Sequence, residues 1–298
     1  MTTPQLEEDG ILREWAPLSR LLQQIPLKTR RGLFMEDVKL TCVDAVSECI
    51  AVGASPGIIY WYNRSSHAVV QLTPEKNAHS ITCIKLVSTV DIMVAAGDDN
   101  GIVTIFKVPK PTPDWLPHYK KETIDKSIER YTIGGLHSGR ITTLEWSLNG
   151  QKLFSGDSAG QVIYTEIDFY MNLSKAREIL NENYSVVQLS YNQRTRALVV
   201  STVLRCTICF NEQNSWRVVQ VGQKERSSLL ALGGVFYYTE GVPTIPLIYC
   251  CRPGLRLWQA NTDGSVQQTI LFKVTMYPIT VNLVLYHKFF LLYIFCFE

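Results

Sequence analysis

Leu136 to Asp168 reads LHSGRITTLEWSLNGQKLFSGDSAGQVIYTEID, and this stretch decides the fold. Split at its turn residues, it holds three short strand patterns: Ile141 to Trp146, Lys152 to Ser155 and Gln161 to Ile167. Asn149-Gly150 between the first two is a hairpin signal, because both central positions of a type I′ turn require positive φ. Ser155 to Gly160 forms the second turn, with glycine supplied where φ can be positive. A meander of three strands cannot bury both its faces alone, so it needs neighbours of its own kind.

Copies of it lie upstream. Gly156 and Gly160 make a G-x-x-x-G step, and the same step follows an apolar pair at Gly53 and Gly57 and at Gly97 and Gly101. Gly97 lies 44 residues after Gly53, and Gly156 lies 59 residues after Gly97. All six glycines are read as structural turn residues. A period near ~40–45 residues with four strands per unit is the sequence sign of a WD-type β-propeller. The same spacing serves transmembrane helix dimers only inside an apolar stretch of ~20 residues, which these segments lack.

Composition agrees with an all-β globular chain. Its 298 residues are 46% hydrophobic and 19% charged, and the formal net charge is +2. That charge implies no strong field for nucleic acid or an anionic membrane. The 8 cysteines show no disulfide-framework rhythm, which points to reduced thiols and a cytoplasmic chain. No charged n-region followed by an apolar h-region opens the sequence, so no secretory leader is expected.

Three parts follow along the chain. Residues 1–37 form a polar segment and a short amphipathic helix, in which Leu18, Leu21, Leu22 and Ile25 share a face and Pro26 stops the helix. Lys28, Arg30 and Arg31 read as a solvated basic turn, with a phosphate or lipid contact as the alternative. Residues 38–273 carry the blades: the first from Val38 to Thr73, the second from Ser80 to Val108, and the third the opening stretch. Pro109 to Tyr131 reads as an inter-blade loop, its prolines excluding a central strand and Lys120 to Arg130 allowing a helical turn. A fourth blade runs from Ser185 to Gly222 without the glycine pair, and a fifth starts near Leu232. Residues 274–298 are an apolar tail of uncertain status. The run from Ile279 to Phe297 admits three readings: sequence foreign to the fold, buried strand, or membrane anchor. A lysine and a histidine in its middle oppose insertion. Five recognisable blades are expected to be part of an incomplete seven-bladed ring that does not close by itself.

Each candidate chemical group has a structural reading beside it. His79 and His137 precede blade strands and are read as structural histidines. Cys206-x-x-Cys209 resembles half a zinc site, but residues three apart in a strand point to opposite faces. Asp98-Asp99-Asn100-Gly101 resembles part of a calcium loop without its later acidic ligands. The innermost strands, such as Thr41-Cys42-Val43 and Thr142-Thr143-Leu144, read as small and apolar, with no convergent carboxylates. No catalytic residue, cofactor or metal site is expected.

Arg13-Glu14-Trp15-Ala16-Pro17-Leu18, Leu153-Phe154-Ser155-Gly156-Asp157 and, above all, Arg252-Pro253-Gly254-Leu255-Arg256-Leu257-Trp258 carry a family resemblance. Together they resemble the N-terminal WD-type propeller of the tectonin β-propeller repeat-containing proteins. That propeller is similar to the one in the Hermansky–Pudlak syndrome WD-repeat proteins. The resemblance spans about Leu12 to Lys273 and ends before any tectonin repeat. It implies a non-enzymatic, cytoplasmic interaction scaffold recruited to endomembranes. Autophagy or coat-trafficking factors would be its partners, in early secretory or endolysosomal traffic. Biogenesis of lysosome-related organelles is the alternative within that class. A propeller-based enzyme is the disfavoured alternative from another class. Nucleic acid is not an expected partner, and membrane association is indirect unless the 279–297 tail inserts.

Overall fold

The computed structural model describes residues 18–31, 34–74, 79–110, 127–168, 173–212, 215–237 and 246–272. The 279–297 run and most of the proline-rich insert lie outside these residues. The helix α1 spans only Ser19–Leu22. Leu21 and Ile25 are buried, whereas Leu18 and Leu22 are exposed, so the expected apolar stripe is half used. Lys28, Arg30 and Arg31 lie in a strand, not a turn: β1 (Lys28–Arg31) pairs antiparallel with β2 (Phe34–Asp37). The Lys28–Asp37 ion pair at 3.8 Å is exposed and adds little stability.

Among the described residues, five four-stranded antiparallel blades follow, each meandering in chain order. The first holds β3 (Leu40–Ala45), β4 (Cys49–Ala54), β5 (Ile59–Asn63) and β6 (Val69–Leu72). The second holds β7 (Ile81–Ser88), β8 (Ile92–Asp98), β9 (Val103–Val108) and β10 (Glu129–Ile133). The third holds β11 (Ile141–Trp146), β12 (Lys152–Asp157), β13 (Gln161–Asp168) and β14 (Leu173–Asn181). The fourth holds β15 (Val186–Asn192), β16 (Ala197–Thr202), β17 (Cys206–Glu212) and β18 (Ser215–Gln220). The fifth holds β19 (Gly234–Tyr237), β20 (Leu247–Arg252), β21 (Arg256–Ala260) and β22 (Val266–Leu271).

The insert after Val108 therefore lies within a blade, not between two. β10 pairs with β9 from Glu129↔Lys107 to Ile133↔Val103, so the chain leaves blade two after its third strand and returns to add the fourth. Glu129 and Arg130 sit in that strand rather than in a helical turn. An outermost strand packs on one side only and tolerates charge; Lys107 meets Glu129 across the pair at 3.2 Å.

The core consists of layers between blades. Ile59 and Trp61 of blade one pack with Ile84, Leu86 and Val94 of blade two. Corresponding layers join blades two and three, three and four, and four and five. On the outer flank of blade one, Leu21 and Ile25 of the N-terminal helix region pack on Val52, Tyr60 and Tyr62. The innermost strands pack in series, β3 on β7, β7 on β11, β11 on β15 and β15 on β19. Among the described residues, β19 and β3 do not pack on one another in this way, and Val43 of β3 is 55% exposed.

The two glycines of each G-x-x-x-G step do different work. Gly57, Gly101 and Gly160 occupy turns with φ of 78°, 78° and 99°. Gly53, Gly97 and Gly156 are strand residues, not turn residues, and each gives room to a side chain of the next blade. A Cβ built on Gly97 would meet Ile141 at 2.4 Å, and one on Gly156 would meet Val186 at 2.7 Å. Ile81 approaches Gly53 in the same way, at 2.7 Å. The residues that approach are the first of the following innermost strand, just before a β-bulge that recurs in each of the first four blades. The glycine and the bulge together let adjacent blades close without a void.

Candidate functional site

The buried polar groups first show what is structural. His137 lies between blades two and three, and its ring bonds Asp157 through Nδ1 at 3.2 Å and Ser155 through Nε2 at 2.7 Å. Burial pushes the His137 pKa below the usual histidine range, against the opposing pull of Asp157. Asp157 also accepts from the backbone N–H groups of Ala159 and Gln161, closing its own turn. Asp98 does the same for Asn100 and Ile102 in blade two. His79 is placed differently: its side chain is half-exposed and lies 3.6 Å from Asp99. The Asp98 turn is a capped blade turn, because both bonds of its Oδ1 go to its own backbone.

The innermost strands are not uniformly small and apolar. Their fifth residues are Asp44, Lys85, Glu145 and Ser190, and three of these accept from the backbone of the next blade. Asp44 accepts from Leu86 N–H at 2.7 Å, Glu145 from Tyr191 N–H at 3.5 Å, and Ser190 from Phe236 N–H at 3.2 Å. Lys85 instead pairs with Glu145 at 3.3 Å. Burial raises the Asp44 pKa, while Lys85 and the Leu86 N–H pull it down. These carboxylates are engaged as inter-blade clamps, so their convergence is that of a structural network. Cys206 and Cys209 point to opposite faces of their strand, Cys206 into the layer with blade five and Cys209 into the layer with blade three.

The Arg252-to-Trp258 motif builds a cleft. Arg252 ends β20 and Arg256 begins β21, and the two stand directly opposite in the ladder. Between them Gly254 and Leu255 take φ of 75° and 53°, which makes the turn tight. The Arg252 guanidinium lies 4.0 Å from the Trp258 ring centroid and donates to the Glu225 carbonyl at 2.7 Å. Gly222 admits that ring, since a Cβ there would meet it at 2.5 Å. Arg256 Nε donates to the Pro253 carbonyl at 2.8 Å.

The opposite wall is the segment Lys224, Glu225 and Ser227. It is pinned by its neighbour Arg226, which is 5% exposed. Arg226 donates to the Thr202 carbonyl, to the Leu232 carbonyl at 2.7 Å and to Cys206 Sγ at 3.3 Å. Hydrogen bonding from Cys250, then Arg226, holds the Cys206 thiol below its usual range. The cleft is open to solvent and holds about 190 Å³. That is below the ~300–1,000 Å³ of small-molecule pockets, and it suits one side chain of a partner.

No family model matches the chain. It is 43% identical over 264 residues to WD repeat-containing protein CG11141 of Drosophila melanogaster, covering 88% of this chain and 37% of that protein. It is 36% identical over 268 residues to human Tectonin beta-propeller repeat-containing protein 2, covering 90% of this chain and 18% of that protein. The chain is a WD-type propeller homologue of both. Human BLOC-2 complex member HPS5 is 26% identical over 276 residues, which is 88% of this chain and 22% of that protein. The chain thus spans well under half the length of each of these relatives. Among solved structures, a chain of the Mitotic Checkpoint Complex superposes with a TM-score of 0.54 at 14% identity, covering 79% of this chain and 66% of that one. That likeness is one of fold.

Within this WD-type propeller, the structure places the motif residues Arg252, Pro253, Arg256 and Trp258 in one cleft and turns Leu257 into the core. It adds Lys224, Glu225 and Ser227, which the sequence reading passed over. The cue to them was the charged run Lys224-Glu225-Arg226, two residues after Gly222. No helix among the described residues is long and apolar enough to cross a membrane.

Proposed function

We propose that this propeller is a non-enzymatic protein-interaction scaffold acting in autophagy and early secretory or endolysosomal vesicle traffic. One observation carries the reading: a rigid stack of blades presents an arginine-and-tryptophan cleft at its edge, while its inward carboxylates are used up in bonds between blades. Arginine and tryptophan are the residues enriched at binding hot spots. The homologues support a propeller scaffold, since one is named for tectonin propeller repeats and another for membership of the BLOC-2 complex. Fold alone does not decide function, so the trafficking step has to be measured. Proximity labelling from the tagged chain in cells is the test. Autophagy and secretory-pathway neighbours are expected. A neighbour set restricted to BLOC-2 subunits would move the function to lysosome-related organelle biogenesis, and the absence of any discrete set would overturn the scaffold reading.

A further inference from the structure

Arg252 and Arg256 are direct cross-strand partners, a placement that destabilises a ladder when the charges are alike. Among the described residues neither forms an ion pair: their side-chain bonds go to the backbone carbonyls of Glu225 and Pro253. Arg226 adds a third guanidinium behind them, bonded to two carbonyls and a sulfur, with its Nε unpartnered. Lys224 lies exposed on the facing wall. Among the described residues, the one carboxylate lining the cleft, Glu225, is drawn to Arg205 at 3.4 Å. Three cations, Lys224, Arg252 and Arg256, therefore line a small concavity whose carboxylate is turned elsewhere, with Arg226 buried behind them. Burial, and then the like charge of Arg226, weakens the hold of Arg252 on its proton. An anion seated there would relieve this.

Guanidinium groups are suited to oxyanions, which they grip with paired N–H donors. Trp258 fixes one of these groups by stacking, so little freedom is lost when an anion binds. The volume admits a single carboxylate or phosphate on a side chain, not a folded ligand. We infer that the cleft between Lys224–Ser227 and Arg252–Trp258 binds an acidic peptide segment of a partner protein, anchoring one oxyanion-bearing side chain between Arg252 and Arg256. This rests on the scaffold reading above and names the chemistry of its partner.

The test is fluorescence anisotropy with the full chain and three labelled peptides of one backbone, bearing glutamates, a phosphoserine, or glutamines in their place. The two acidic peptides should bind and the glutamine peptide should not, and binding should weaken as salt rises. Stronger binding of the phosphoserine peptide assigns a phosphorylated partner, and equal binding assigns ordinary carboxylates. Lys224→Gln combined with Arg256→Gln should weaken binding about tenfold at an unchanged melting temperature, because both side chains are exposed. Glu225→Gln should strengthen it by removing the one like charge. Equal binding of the glutamine peptide, or full affinity in the double variant, would overturn the inference. If the double variant also keeps every wild-type neighbour in proximity labelling, the scaffold reading stands and the cleft alone is refuted.

Discussion

Ser201 and Gly234 share one space at the boundary between blades four and five. A Cβ added to Gly234 would come within 3.0 Å of Ser201 Oγ. In blades one, two and three the position of Ser201 is a glycine, and the facing blade supplies a branched side chain. At the fourth boundary the side chain has moved to the second strand and the glycine to the facing blade. The space is filled once either way, which is why blade four can lose its glycine and still stack.

Gly156→Ala should therefore lower stability by about 1–3 kcal/mol, the usual cost of overpacking a well-filled layer. Adding Val186→Gly should return part of that loss, since Val186 is the group in the way. A double-mutant cycle by chemical denaturation measures the coupling. Additive losses would show that the two residues do not compete for the same volume.

Turn glycines should rank by surroundings as well as by φ. Gly160 has φ of 99°, and a Cβ there would stand 2.6 Å from the backbone nitrogens of Asn183 and Tyr184. Gly254 has φ of 75° but its nearest neighbour would be 3.6 Å away. Gly254→Val should cost the strain alone, about 1–3 kcal/mol, and Gly160→Val clearly more. Thermal melts of the two variants side by side give the order.

The His137 pKa is lowered by burial. A histidine with a depressed folded pKa contributes stability that is present above its unfolded value, near ~6.5, and is lost as pH falls through the folded value. The melting temperature should thus drop on acidification below about pH 6.5. His137→Gln should be less stable at neutral pH and should flatten that slope. A parallel pH profile in the variant would assign the acid sensitivity to other groups.

Asp44 carries the opposite sign. Its pKa is raised by burial, so its ionised form weighs against folding once pH exceeds the folded value. Asp44→Asn keeps an acceptor for the Leu86 N–H and should hold or raise the melting temperature at neutral pH. Asp44→Leu strands that N–H and should cost about 1–3 kcal/mol.

Much of the fold was legible because turns and core alternation leave local marks. Asn149-Gly150 and the paired glycines each punctuate a blade. The outermost strands were not legible. Glu129 to Ile133 and Leu173 to Asn181 carry charge and lack the apolar run of a buried strand, so their pairing partners alone define them. The inter-blade clamps also escaped notice, because the position that Asp44, Glu145 and Ser190 share is a lysine in blade two and uncharged in blade four. Half of the cleft was visible as a motif. Its other wall is a loop without periodicity, brought into place by the buried Arg226, and only three dimensions join the two.

Engagement of partners at this cleft can be read by site-specific photo-crosslinking in cells. A photoreactive residue at Ser227, in the cleft wall, would be compared with one at Val90, which is 89% exposed on blade two. Position 227 should give discrete adducts with vesicle-traffic or autophagy proteins, mapping to acidic segments, and position 90 should give none of these. Identical adducts from both positions, or none from position 227, would contradict engagement at this cleft.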